Sequence, residues 1–279
     1  MDVEAILGQA LALGQEGDWE GMATQLKEAV EELPDDPYLL CWLGVAEREL
    51  GLSESAYHRF KEALAQEPGD PLILATAGNG LAHFDDPDAE AALRSAAIMA
   101  PDLPLARWMF GAYLSREGLF QDALRELTAA AELAPEDPVI LYELGAALAL
   151  MGRMEAALDP LTRSMDLDAG EGWGQVVLGL VEAELDRMDE AARDLSEGAR
   201  LRPHDVEAQM VAALAAEAAG WHDLAYEMLE RGRQGSVHGD LTLLEEVELR
   251  LGEGPDSAKV FLIQEVLPGT LRERLMHRP

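Results

Sequence analysis

Cysteine occurs once in the 279 residues, as Cys41, so the chain can close no disulfide within itself. Lysine occurs three times, at Lys27, Lys61 and Lys259, and asparagine once, at Asn79. Aromatic residues make up only 5% of the chain, too few for an aromatic-rich core. Basic residues are scarce throughout: 21 Lys+Arg stand against 54 Asp+Glu, a formal net charge of −33. A field of that sign repels phosphate backbones and anionic lipid, which sets nucleic acid aside as a ligand. It leaves two readings for the acid itself, attraction of a basic partner or adaptation to a salty cytoplasm. No apolar run reaches the roughly 18 residues of a membrane-spanning helix, so no membrane insertion is expected. The opening residues, MDVEAILGQALALGQEGDWE, place acids where a signal peptide carries bases. Together with the lone cysteine, this predicts a soluble, cytoplasmic protein.

Catalytic signatures are missing as well. No GK dipeptide closes a phosphate loop, and neither H-E-x-x-H nor G-x-S-x-G occurs. His204-Asp205 and His222-Asp223 are the HD pairs of a metal phosphohydrolase in outline, but each falls where a helix should begin and Asp is a good cap. His83 with Asp85, Asp86 and Asp88 gathers ligand-type residues without a second histidine, and reads as a solvated turn. The expectation is therefore a protein that is not an enzyme, with no catalytic residue, no cofactor and no metal.

What the chain does have is alanine, leucine and a period. Hydrophobic residues reach 48%, and the Ala/Leu bias favours helix over strand. Leu144-Gly145 recurs as Leu43-Gly44, Ala77-Gly78, Phe110-Gly111 and Leu178-Gly179, at glycine intervals of 34, 33, 34 and 34 residues. Behind these glycines come Ala56, Ala89, Ala123, Ala157 and Ala191, and four residues further on Phe60, Leu93, Leu127, Leu161 and Leu195. Pro34, Pro68, Pro101, Pro135 and Pro203 close most units. Each unit reads as two helices, A and B, joined by a short turn. Small residues at Gly145 and Ala157 let the two backbones approach, and Leu141, Leu144, Leu148 and Leu161 fill the surrounding space. Two irregularities break the pattern. The third unit is one residue short around HFDDPD, and DAGEGWG (168–174) replaces the expected proline with glycines. The latter suggests either a joint or a local irregularity, and Pro160 should kink its helix B.

This pattern resembles the tetratricopeptide repeat, W-x2-L-G-x2-Y, A-x3-F and P over 34 residues. The resemblance implies an all-α, right-handed superhelical solenoid of about seven helix-turn-helix units, with stacking supplying the core that one pair cannot. Units are expected to start near residues 3, 37, 71, 104, 138, 172 and 206, covering 3–239. C-terminal capping helices would fill 240–279: Asp240–Leu251 begun by an Asp cap, then Asp256–Leu267, then a short helix lined by Leu271 and Leu275. The tail carries Arg272, Arg274 and Arg278 on an otherwise acidic chain, and could cap its own groove or bridge to a neighbour.

In this family the concave surface is lined by helix A. Carried over by position, the resemblance implies a groove with Tyr38, Leu72, Leu105, Val139 and Trp173 at the second positions. Cys41, Trp108, Tyr142 and Val176 occupy the fifth positions, Val45, Asn79 and Leu180 the ninth, and Arg116 the thirteenth. That lining is apolar and aromatic, and it lacks the Lys/Asn/Arg clamp of relatives that hold peptide carboxylates. The expected function is a protein–protein interaction scaffold or adaptor, chaperone-like in mode. Its groove would take a protein or peptide partner through an apolar or amphipathic segment, basic-flanked if the acidic rim takes part. A self-assembling structural protein, including a homodimer, and an accessory or regulatory subunit of an enzyme complex stay open.

Overall fold

The computed structural model describes residues 2–235 and 241–276, and all regular structure among them is helical. They divide into two compact units between Leu133 and Ala134. The first holds α1 (Val3–Gln15), α2 (Trp19–Glu32), α3 (Pro37–Glu49), α4 (Ser53–Ala65), α5 (Pro71–Ala82), α6 (Asp88–Met99), α7 (Pro104–Arg116) and α8 (Phe120–Leu133). The second holds α9 (Pro138–Leu150), α10 (Met154–Leu167), α11 (Gly172–Glu184), α12 (Met188–Leu201), α13 (Val206–Ala218), α14 (His222–Gly235), α15 (Leu241–Glu253) and α16 (Pro255–Phe261). A π-helical stretch, Leu262–Val266, then leads into α17 (Leu267–Met276). Asp240, expected to cap α15, lies outside the described residues.

Local chemistry sets where the helices start and stop. The dipeptide Asp-Pro opens α3, α5 and α9: the Asp carboxylate accepts from the free backbone N–H groups, and the proline sits where no N–H is needed. Asp36 takes the N–H of Tyr38 at 3.0 Å and of Leu39 at 3.1 Å. Asp137 does the same for Val139 and Ile140, at 2.9 and 3.1 Å. Each such cap is worth about 1 kcal/mol. Gly152 ends α9 in the left-handed region at φ 71°, and in the short third unit Asp85 takes that conformation instead, at φ 52°.

The glycines that mark the repeat lie where helices touch. A Cβ placed on Gly145 would sit 2.5 Å from Leu161 Cγ and 3.3 Å from the Ala157 carbonyl oxygen. The leucine four residues beyond the small alanine is thus the group that needs the glycine. Gly111 stands in the same relation to Leu127 and Gly179 to Leu195, with the Cγ atoms at 2.7 Å in both cases. Leu141, Leu148 and Leu161 are buried, while Leu144 is only half-buried. In the DAGEGWG segment the glycines likewise serve close packing. A Cβ on Gly172 would meet Leu201 Cβ at 2.7 Å, and one on Gly174 would run into the Met165 methyl. α10 continues through Pro160 from Met154 to Leu167. The proline forfeits one backbone donor, and the buried face of Ala157, Leu161, Ser164 and Met165 keeps the helix together.

Odd-numbered helices of the first unit touch in succession, α1 to α3 to α5 to α7, and each packs on its even-numbered partner. In the second unit α15 and α16 pack on α13, so every residue of that helix from Ala208 to Glu217 is buried. α17 does more than cover the end: it returns to α11 and α9 and lies against the face those A helices present.

Candidate functional site

In the first unit the A-helix face keeps an apolar, partly open surface. Tyr38, Val45, Leu72, Asn79, Leu105 and Trp108 are half-buried, and Arg116 is exposed. The Tyr38 hydroxyl donates to Asp70 at 2.9 Å, and that bond, with burial, holds the phenol above its ordinary pKa. Asp70 also takes the N–H of Leu72 at 2.8 Å, so one carboxylate caps α5 and fixes the tyrosine of α3. The Trp108 indole N–H is buried and finds no acceptor among the described residues. A buried donor without a partner is costly, on the order of 1–3 kcal/mol. At the far end of these helices His83 shares a hydrogen bond with the Asn79 carbonyl oxygen at 2.7 Å. Burial lowers the His83 pKa, and Arg116 and Arg48 add to that lowering. Cys41 departs from the expected lining. It is fully buried, and burial raises its thiol far above the ordinary range, so it is an inert core residue.

In the second unit the corresponding face is occupied. Tyr142, Val176 and Leu180 are buried and Val139 and Trp173 half-buried; Val176 is a core residue, packed on Gly198 of α12, where a Cβ would meet its Cγ2 at 2.7 Å. α17 does the covering around the indole. Trp173 Nε1 donates to the Tyr142 hydroxyl at 3.1 Å and to the Arg274 carbonyl oxygen at 3.2 Å. The Arg274 guanidinium lies 4.9 Å from the centroid of the Trp173 ring, and that of Arg202 lies 5.1 Å from it. Both terminal nitrogens of Arg274 donate to Asp205, at 2.8 Å each, and one donates to Glu207 at 2.9 Å. Thr270 Oγ1 donates to the other Glu207 oxygen at 2.8 Å. Burial works against the Asp205 charge, yet the bonds from Arg274, Ala208 and Arg202 outweigh it and hold the carboxyl below its ordinary pKa. Such a two-pronged, desolvated pair is among the stronger polar contacts a protein makes.

The sequence had marked Trp173, Tyr142 and the tail arginines separately. Asp205, Glu207 and Thr270 were missed as parts of the site. Asp205 does cap α13, through the Ala208 N–H at 3.0 Å, and the same carboxylate takes Arg274. Arg278 lies outside the described residues. The HFDDPD cluster is dispersed into other bonds: Asp86 accepts from the Tyr57 hydroxyl at 2.8 Å and from Lys61 at 3.2 Å, while Asp88 takes Lys61 at 2.5 Å. Among the described residues no group of three or more His, Cys, Asp or Glu is placed to hold a metal ion. No described helix is long and apolar enough to cross a membrane.

Residues 108–171 match the family described as tetratricopeptide repeat. No curated protein matches the chain in sequence. Among solved structures, a chain of the APC/C hetero-tetramer Cut9–Hcn1 superposes with a TM-score of 0.71 at 19% identity, covering 85% of this chain and 48% of that one. This chain therefore spans about half the length of that relative. PilF of Pseudomonas aeruginosa gives a TM-score of 0.63 at 16% identity, covering 76% of this chain and 96% of its own. The C-terminal part of a TPR repeat-containing protein from Cytophaga hutchinsonii gives 0.54 at 13% identity, covering 86% and 98%. Identities this low carry the fold and nothing about partners. The glycines at 78, 111, 145 and 179 each meet a leucine of the partner helix, residues 108–171 match the tetratricopeptide repeat, and the chain has the fold of these solved repeat structures.

Proposed function

We propose that the chain is a non-enzymatic scaffold or adaptor that holds an apolar or amphipathic segment of a protein partner against its A helices. Tetratricopeptide repeat proteins serve protein–protein interaction, and the observation that carries the reading for this chain is the first unit's A-helix face. Tyr38, Leu72, Leu105 and Trp108 remain partly open there. Large aromatic and aliphatic groups on a surface are typical anchors of a protein contact. A net charge of −33 favours a partner with basic residues beside its apolar ones. Capture from native lysate with wild type and with Leu72→Glu/Leu105→Glu, at low and high salt, tests this. The expected result is a partner that the double variant loses and that high salt weakens. Equal capture by both proteins would remove the A-helix face from the account.

A second reading is self-assembly, which draws on α6, where Ile98 and Met99 are 72% and 52% exposed. Light scattering across a range of concentrations separates the two, because only self-assembly makes the mass rise with concentration.

A further inference from the structure

α17 is the last part of one helical run, Pro255–Met276, which is irregular in its middle. Pro268 and Gly269 fall inside that run, where proline removes a backbone donor and glycine costs about 1 kcal/mol relative to alanine. α17 is reached through the π-helical stretch Leu262–Val266, a geometry that is rare and concentrates at functional sites. Its fit is also incomplete. A crevice of about 240 Å³ separates Ala149, Leu150 and Glu184 from Pro268, Leu271 and Leu275. Arg274 Nε is buried and finds no acceptor among the described residues, although both terminal nitrogens are taken. The seat itself is well formed. Trp173 offers its ring face and its N–H, Asp205 and Glu207 receive a guanidinium, and both carboxylates sit on or beside the start of α13. A complementary seat holding a helix whose stem is irregular is the arrangement of a binding site filled by a stand-in.

The geometry points to the A-helix face of the second unit as a receptor for an amphipathic, arginine-bearing helix of a partner, with α17 occupying that receptor in cis until the partner displaces it. This rests on the scaffold reading above and adds the partner's chemistry. α17 gives the pattern: leucines four apart at 267, 271 and 275, all buried, and an arginine at 274 on the same side. A partner helix that repeats this spacing places its apolar stripe along Ala149 and Leu150 and its guanidinium over Trp173, between Asp205 and Glu207. The second unit is thus closed at rest, and its apparent affinity is reduced by the fraction of molecules in which α17 is seated.

The test uses the full chain and a fluorescent synthetic peptide with the sequence of residues 262–276. Leu271→Ala and Arg274→Gln each loosen α17, and circular dichroism checks that both variants keep the wild-type fold. Fluorescence anisotropy should show both variants binding the peptide about tenfold or more tightly than wild type. A peptide carrying alanine at the position of Arg274 should lose that gain, as should Asp205→Asn placed in the Leu271→Ala chain. The proposal is overturned if the folded variants bind no more tightly than wild type, or if the alanine peptide binds equally well. It is also overturned if the loosened variants become dimers in light scattering, which would make a second copy's α17 the occupant. None of these results touches capture by Leu72 and Leu105 in the first unit, so the scaffold reading stands or falls separately.

Discussion

Gly80→Ala places a methyl group where the Phe60 ring already is. A Cβ built on Gly80 would lie 2.5 Å from Phe60 Cδ2 and 2.6 Å from Cζ, against the roughly 3.5–4.0 Å of an ordinary carbon contact. The ring has little room to move, because its other edge already lies against the bare Gly44 and the side chain is fully buried. Overpacking of this kind costs about 1–3 kcal/mol, offset by about 0.5–1 kcal/mol from replacing glycine inside a helix. The single variant should therefore lose about 1–2 kcal/mol. Phe60→Leu installs the residue that the other helix pairs carry at this place, as Leu93, Leu127, Leu161 and Leu195. Alone it leaves a void between two glycines and costs about 1 kcal/mol. In Phe60→Leu/Gly80→Ala the methyl fills that void, and the two changes should couple by about 1–3 kcal/mol in favour of the double variant. Urea denaturation of all four proteins, compared at unchanged m-value, gives the cycle directly. Additivity within about 0.5 kcal/mol would mean that Phe60 and Gly80 do not share this space, and the packing argument would fail.

Gly145→Leu should cost about 1–3 kcal/mol through collision with Leu161, whereas Gly8→Ala, whose Cβ meets nothing within 4 Å, should raise stability by about 0.5–1 kcal/mol; thermal melts of the pair check both. Glu182 is buried, and burial, followed by the nearby Asp194 and Glu190, pushes its carboxyl up to about 9. An unfolded Glu182 releases its proton near the ordinary carboxylate pKa while the folded one keeps it, so stability is fully present below that pKa and is lost as pH rises towards about 9. Glu182→Gln should flatten this fall in denaturation midpoints measured between acid and alkaline pH; an unchanged slope would refute the assignment. With 54 acids against 21 bases, self-repulsion should ease as salt rises from low to moderate concentration, and the melting temperature should climb; a flat response would show that the carboxylates are already well separated.

The repeat was legible because its physics is local and recurrent. The 34-residue spacing of Gly145 and its relatives reports a helix contact that recurs in the five central pairs, and Asp-Pro at residues 36–37, 70–71 and 137–138 marks helix starts in step with that spacing, whereas Asp159-Pro160, out of step with it, lies inside α10. Gly80 was not legible, since it answers to Phe60 in one pair only and lies outside the shared pattern. Position along a helix also could not separate Cys41, turned into the core, from Trp108, which stays partly open at the equivalent place. For the site, the aromatic half was visible in Tyr142 and Trp173. Its charged half was hidden because Arg274 meets Trp173 across 101 positions of sequence, and no periodicity spans that distance. Asp205 read as a helix cap, which it is; that one carboxylate serves the cap and the arginine together appears only when α17 is seated.

The central claim, that the A-helix face of the first unit receives a partner segment, is tested most directly by position-specific photo-crosslinking in native lysate. A crosslinking residue at Leu105, half-buried on that face, is compared with one at Arg125 on α8, whose side chain is 73% exposed. The account predicts adducts with a single partner peptide from position 105, none with that peptide from position 125, and loss of the adduct when Leu72→Glu is added. The same peptide crosslinked from Arg125, or an adduct at position 105 that survives Leu72→Glu, would contradict it.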